Sequence, residues 1–95
     1  MIYGVYCIYD CLVGYCNPIC ELNDQVAMRN FESMFYRPDV SPVMHFRPQD
    51  FDLYKIGDFD SELGSFSPCD RYKVTSGSSL ALSLKKARKS EESDS

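Results

Sequence analysis

The chain contains no tryptophan and a single histidine, and it lacks the glycine-rich spacing that cradles a phosphate. That histidine, His45, lies between Met44 and Phe46 in a proline-rich stretch. No pattern supplies the orienting partner and nucleophile that histidine catalysis needs. No nucleophile motif or set of metal ligands with a recognised spacing is present. The sequence therefore argues against an enzyme and predicts no cofactor.

Long apolar runs are also missing. The N-terminus is strand-like and lacks a basic region followed by an apolar stretch, so we expect neither a signal peptide nor a membrane segment. The expected location is the cytoplasm of the cell that makes the protein. Hydrophobic residues make up 44% of the 95 residues. This is ordinary for a globular chain, and the length allows at most one domain with a modest core.

Charge is distributed unevenly along the chain. Residues 1–70 carry a net charge of −7, residues 71–89 carry +6, and the last six residues add −3. An acidic body argues against a broad DNA-coating surface, because affinity for nucleic acid depends on neutralising phosphates. The segment Lys85 to Lys89 is where such neutralisation is easiest.

The order of apolar patterns predicts an α+β fold. Strands are expected over 2–9, 15–22, 51–59 and 66–74, the second of them weakened by Asn17-Pro18. Asn23 or Asp24 is a suitable N-cap for a helix ending near Arg37, before Pro38.

We therefore predict a four-stranded antiparallel sheet in ββα-loop-ββ order, with one packed helix. Its apolar stripe is formed by Ala27, Phe31, Met34 and Phe35. Residues 38–49 are expected to form an ordered loop. The predicted domain spans residues 1–76, followed by a flexible charged tail over 77–95 with a possible short helix around 80–89.

Four cysteines, Cys7, Cys11, Cys16 and Cys20, have a spacing that would pair 7 with 20 and 11 with 16 across a hairpin centred on Val13-Gly14. A single zinc site is disfavoured because residues four apart on a strand are separated by roughly 13 Å. Free buried thiols are the favoured interpretation, with Cys69 as a packing residue.

Five carboxylates are threaded through residues 50–62, and their run D-x-D-x-E-x-G superficially resembles a calcium loop. Its glycine falls one position late for an EF-hand and the twelfth position is Cys69, so a solvated strand face is favoured and no metal is predicted. The tyrosines at 3, 6, 9, 15 and 54 lie on predicted strands. They suit either a base-stacking platform or, more often in a small domain, a core or interface.

The block Pro48 to Gly64, PQDFDLYKIGDFDSELG, together with the run Asn23 to Phe31, resembles the small nonstructural protein of gokushoviruses, the single-stranded DNA phages of the Microviridae. The resemblance spans roughly residues 1–70 and excludes the cysteines and the basic tail. It implies a role in viral DNA replication, in the switch toward single-stranded genome synthesis and packaging. It carries no catalytic residues.

Two function classes follow from these observations. One is a regulator that associates with single-stranded DNA, and the other is a protein-binding adaptor or assembly factor. The candidate protein partners are the replication initiator, the capsid precursor and a second copy of the chain. The short length and high aromatic content of the chain favour a homodimer. The candidate nucleic-acid-binding residues are Arg29, Arg37, Arg47, Arg71, Lys73, Lys85, Lys86, Arg88 and Lys89.

Overall fold

The computed structural model describes residues 1–82, and these form an α+β structure with helices packed on an antiparallel, curled sheet. The elements, in chain order, are β1 (Ile2–Asp10), β2 (Gly14–Tyr15), β3 (Ile19–Glu21), α1 (Asp24–Phe35), α2 (Pro42–Phe46), a 3-10 turn (Pro48–Asp50), β4 (Phe51–Asp60) and β5 (Ser65–Ser76). Residues 77–82 are also helical. The predicted fold class and antiparallel pairing are confirmed. No helix in this described part is long and apolar enough to cross a membrane.

Strand β1 lies at the centre of the sheet. It pairs on one side with β2 and β3, and on the other with β4, which in turn pairs with β5. Every residue of β1 has a partner on β4, from Ile2 opposite Asp60 to Asp10 opposite Phe51. The register shifts once, between Val5 and Tyr6. This long pairing fixes which side chains share a face.

The predicted second strand is broken in two. Between β2 and β3 lies the Asn17-Pro18 segment, where the proline has no N–H to donate to a ladder. As a result the pairing changes register, and Cys20 lies opposite Val5. The expected pairing of Cys20 with Cys7 is wrong, chiefly because the hairpin turn is centred on Leu12, with Asp10 opposite Gly14, and not on Val13-Gly14. Of the two, only Cys7 is buried.

Helix α1 follows the sequence pattern closely. The Asn23 side chain accepts a hydrogen bond from the Val26 amide at 2.9 Å, which satisfies one of the free N–H groups of the first turn. Ala27, Phe31 and Phe35 are buried. The helix ends at Phe35, two residues before the predicted end.

The predicted loop before β4 contains a short helix, α2, with Pro42 in its first turn, where its missing N–H costs nothing. His45 on this helix places Nδ1 2.6 Å from the carbonyl oxygen of Phe35. That contact ties α2 to the end of α1, so the histidine has a structural role. The buried Met44 joins the core from the same turn.

The core lies between the helices and one face of the sheet. It consists of Tyr6, Ala27, Phe31, Phe35, Met44, Phe51, Leu53 and Leu80. Leu80 belongs to the helical residues 77–82, so packing continues past the expected domain boundary at residue 76. The remainder of the predicted tail, with Lys85, Lys86, Arg88 and Lys89, lies outside the described residues.

Phe31→Ala is expected to destabilise the protein by about 3–5 kcal/mol, because it removes a buried ring and leaves a cavity in the core. Chemical denaturation followed by circular dichroism measures the change. Phe46→Ala is the matched control, since this ring is 70% exposed, and its cost should stay below about 1 kcal/mol. Equal losses for the two variants would contradict the core assignment.

Candidate nucleic-acid interface

Alternation along β1 divides its side chains between two faces of the sheet. Tyr6 points toward α1 and joins the core. Val5 and Cys7, on either side of it, point to the opposite face, and both are buried without belonging to that core. We call this second side, which α1 does not cover, the open face.

Three tyrosines cluster on the open face. Tyr9 and Tyr15 are directly opposite each other on β1 and β2, with ring centroids 4.9 Å apart. Tyr54 on β4 meets both rings edge-on, at 6.1 Å from Tyr9 and 5.6 Å from Tyr15. These tilted and edge-on arrangements are those that aromatic quadrupoles prefer. Three strands therefore contribute one ring each to a single aromatic surface.

Strand β5 brings two cations to these rings. The Arg71 guanidinium carbon lies 5.0 Å from the Tyr15 centroid and 5.8 Å from the Tyr54 centroid, and Lys73 Nζ lies 6.0 Å from Tyr54. Lys73 is directly opposite Tyr54 in the β4–β5 register. We call the five residues Tyr9, Tyr15, Tyr54, Arg71 and Lys73 the basic tyrosine cluster.

The cluster is accessible to solvent. Tyr15 is 43% exposed, and Arg71 and Lys73 are exposed residues of the sheet edge. Another flat group, such as a base, can replace the guanidinium over the face of an exposed ring. The displaced guanidinium can then bind a nearby anion. Aromatic rings beside basic side chains are the combination that single-stranded nucleic acid uses for binding.

The other predicted basic residues do not join the cluster. Arg29 lies on the exposed side of α1. Arg37 approaches Asp39 at 4.0 Å, and Arg47 pairs with Asp50 at 3.3 Å. Only Arg71 and Lys73, among the candidates within residues 1–82, lie beside tyrosine rings. In the sequence, the alternation of basic residues over 71–73 is the one signal that Arg71 and Lys73 share a face of the sheet.

Carboxylates are distributed unequally between the two faces. Asp58 and Asp60 lie opposite Gly4 and Ile2, on the side that Tyr6 shares. On the open face Asp52 is opposite Tyr9, and it pairs with Lys73 at 3.5 Å. Arg71 has no carboxylate within ion-pair distance in the described part of the chain. Arg71 therefore carries the net positive charge of the cluster.

A second polar cluster lies on the helix side, where α1 begins. The carboxylate of Asp24 accepts hydrogen bonds from the hydroxyls of Tyr6 and of Tyr72, the latter at 2.6 Å. Partial burial raises the pKa of Asp24, but these hydrogen bonds outweigh it and bring the pKa below its ordinary value. Burial and the same carboxylate raise the pKa of Tyr6. The arrangement joins α1 to β1 and β5.

An open cleft of about 520 Å³ adjoins this helix-side cluster. Lys55 and Asp58 on its wall are paired at 3.3 Å. Burial lowers the pKa of Lys55, but its hydrogen bond to Asp58 and the carboxylates around it raise the pKa overall. The charges of Lys55 and Asp58 therefore neutralise each other.

The acidic residues of β4 and the following turn have local structural partners. Asp60 accepts hydrogen bonds from the amides of Glu62 and Leu63, which shapes the turn to β5. Glu62 lies 3.7 Å from the N-terminal amino group. Within residues 1–82 no group of three or more potential ligands is arranged to hold a metal ion.

Comparison with known proteins gives a match to a protein family. The family model described as phage ORF5 protein matches residues 3–80, which include all five residues of the basic tyrosine cluster. No match was found among curated proteins or among solved structures.

Asp24→Asn is expected to lower the free energy of unfolding by about 1–2 kcal/mol at neutral pH, because two hydrogen bonds lose their charged acceptor. A carboxylate whose pKa is depressed by folding stabilises the protein above its unfolded pKa near 3.9, and that contribution disappears as the pH falls through the folded value. The difference from the unsubstituted protein should therefore shrink below pH 4.

Urea denaturation across pH 2.5–7 measures this dependence. Asp39→Asn is the matched control, because Asp39 is exposed and only approaches Arg37. A pH-independent loss for Asp24→Asn would contradict the hydrogen-bonding role assigned to its carboxylate.

Proposed function

The chain belongs to the phage ORF5 protein family, and from that premise we propose that it is a nonstructural protein of gokushoviruses acting in viral DNA replication. In this proposal it is a non-enzymatic regulator in the cytoplasm of the bacterial host. It associates with single-stranded DNA and favours genome synthesis and packaging. The basic tyrosine cluster is its contact surface.

The observation that carries the proposal is the position of Arg71 over Tyr15 and Tyr54. A positive group beside accessible aromatic rings offers a base and its phosphate the two contacts they need. In the acidic body of the domain, this cluster combines the exposed ring of Tyr15 and two half-buried rings with a cation that has no carboxylate partner within the described residues. The three arginines at 29, 37 and 47 are dispersed, so the cluster is the more suitable surface.

We expect a base to stack on the Tyr15 ring in place of the guanidinium. Arg71 would then bind the adjacent phosphate, and Lys73 would reach the next one while remaining close to Asp52. Stacking on an aromatic ring contributes about 1–3 kcal/mol per base and tolerates any sequence. The proposed association is therefore weak and independent of sequence.

The basic residues at 85, 86, 88 and 89 have a supporting role in this proposal. They lie outside the described residues, and their contribution rests on their charge alone. Four phosphate contacts there would add about −3 to the log–log salt slope, at roughly −0.7 per contact.

A second candidate function is a protein-binding adaptor or assembly factor. The observation in its favour is the exposure of Leu12 and Val13 at the tip of the β1–β2 turn, at 84% and 79%. Apolar side chains gathered at a protruding turn suit a protein partner such as the replication initiator, the capsid precursor or a second copy.

The test is titration of fluorescently labelled oligothymidylate at several salt concentrations. Replacing Arg71 and Lys73 together by alanine should weaken binding and flatten the log–log salt slope by about 1.4, the value for two phosphate contacts. Replacing the four basic residues of 85–89 should flatten it by about 3. A component insensitive to salt should persist until Tyr15 is also replaced.

The matched control replaces Arg29 and Arg37 by alanine, which removes the same charge elsewhere. Its salt slope should remain that of the unsubstituted protein. Equal losses for the two double variants would show that only net charge matters. No binding to a long single strand at low salt would refute direct DNA association and leave the adaptor function.

A further inference from the structure

A second group of aromatic residues lies on the same open face, at the opposite end of the sheet. Tyr3 on β1 is directly opposite Phe59 on β4, and Phe59 is directly opposite Phe66 on β5. These three residues form a row across three strands, which we call the distal aromatic row. The basic tyrosine cluster does not include any of them.

The orientation of Phe66 is fixed by a close approach to Gly57. A Cβ atom at position 57 would lie 2.5 Å from the Phe66 ring and 2.6 Å from the carbonyl oxygen of Ser67. Glycine therefore lets the ring approach the backbone of β4 closely. Gly57 is opposite Val5, which places Phe66 on the open face, where it remains 50% exposed.

Electrostatics distinguish this row from the acidic surface around it. Asp58 and Asp60 flank Phe59 in the sequence, yet alternation directs them to the helix side. On the open face Asp52 is paired with Lys73 at 3.5 Å, and Arg71 lies over the tyrosine rings without a carboxylate within ion-pair distance among the described residues. A polyanion bound along the open face would therefore contact aromatic rings and, at the end where Arg71 lies, a positive charge.

The separation of the two groups suits a nucleic acid strand. Tyr3 and Tyr9 are six residues apart on β1, which corresponds to roughly 20 Å at about 3.3 Å per residue. At the rise of about 3.4 Å per nucleotide that a strand has within a duplex, four nucleotides extend over only about 14 Å and do not reach both groups. Footprints of about 4–16 nucleotides are usual for sheet surfaces that bind single strands.

We infer that the distal aromatic row is a second base-stacking subsite, and that one DNA strand runs along the open face from the basic tyrosine cluster to Phe66. This inference rests on the proposed function and extends it. In this inference Phe66 binds only DNA long enough to extend from the basic tyrosine cluster to the distal aromatic row. Arg71 binds DNA of any length at the basic tyrosine cluster.

The test compares oligothymidylates of 4 and 16 nucleotides with the full chain. Phe66→Leu keeps an apolar group over Gly57 but removes the aromatic face. It should weaken binding of the 16-mer by roughly 5- to 150-fold, the fold-change of one base–aromatic stack, and leave the 4-mer unchanged. Phe66→Tyr should retain affinity for the 16-mer. Leu63→Ala, an exposed apolar residue of the adjacent turn, should have no effect on either length.

The outcomes separate this inference from the proposed function. If the 16-mer binds and depends on Arg71 but not on Phe66, the second subsite is refuted while the first contact stands. If Phe66→Leu leaves DNA binding intact but converts a dimer to a monomer in light scattering, the row is a self-association surface and the inference is wrong. If neither oligonucleotide binds, the proposed function itself fails.

Discussion

The pairing of β1 with β4 is the interaction on which the rest of the structure depends. All nine residues of β1 have partners on β4, with one shift of register between Val5 and Tyr6. Because alternate residues point to opposite faces, this register sends Tyr6 and Leu53 toward α1 and Tyr9 and Tyr54 away from it. A slip of one residue would turn the side chains of one strand to the other face, so that Tyr6 and Leu53 would no longer share the core.

Helices cover only one of the two faces thus defined. Helix α1 is held to the sheet by the ring of Phe31 and by the carboxylate of Asp24, which accepts hydrogen bonds from tyrosines on β1 and β5. At the centre of the opposite face Val5 and Cys7 are buried, whereas Tyr15 and Phe66 on the same face are exposed. The aromatic rings of this face are held in place by the sheet and remain accessible to a ligand. Arg71 gives this surface a positive charge, opposite to the net charge of the domain.

Much of this architecture could be predicted from local patterns. The stripe containing Ala27 and Phe31 and the cap at Asn23 specify α1, and alternation specifies β4, because these signals extend over a few residues only. The cysteine pairing failed because the hairpin turn is centred on Leu12, with Asp10 opposite Gly14, and not on Val13-Gly14. The approach of Arg71 to Tyr15 could not be predicted from the sequence either, since 55 intervening residues and the registers of three strand pairs determine it. The sequence block that resembles the phage family contains strand β4, and its residues serve the fold and not a catalytic site.

The central claim is that single-stranded DNA binds the open face of the sheet. Chemical-shift mapping by NMR, with oligothymidylate added to isotopically labelled full-length protein, tests it most directly. The account predicts the largest changes at the rings of Tyr9, Tyr15 and Tyr54 and at the Arg71 side chain, with little change on the exposed side of α1. Changes confined to the basic residues of 85–89, or concentrated around Asp24 and Lys55 on the helix side, would contradict it.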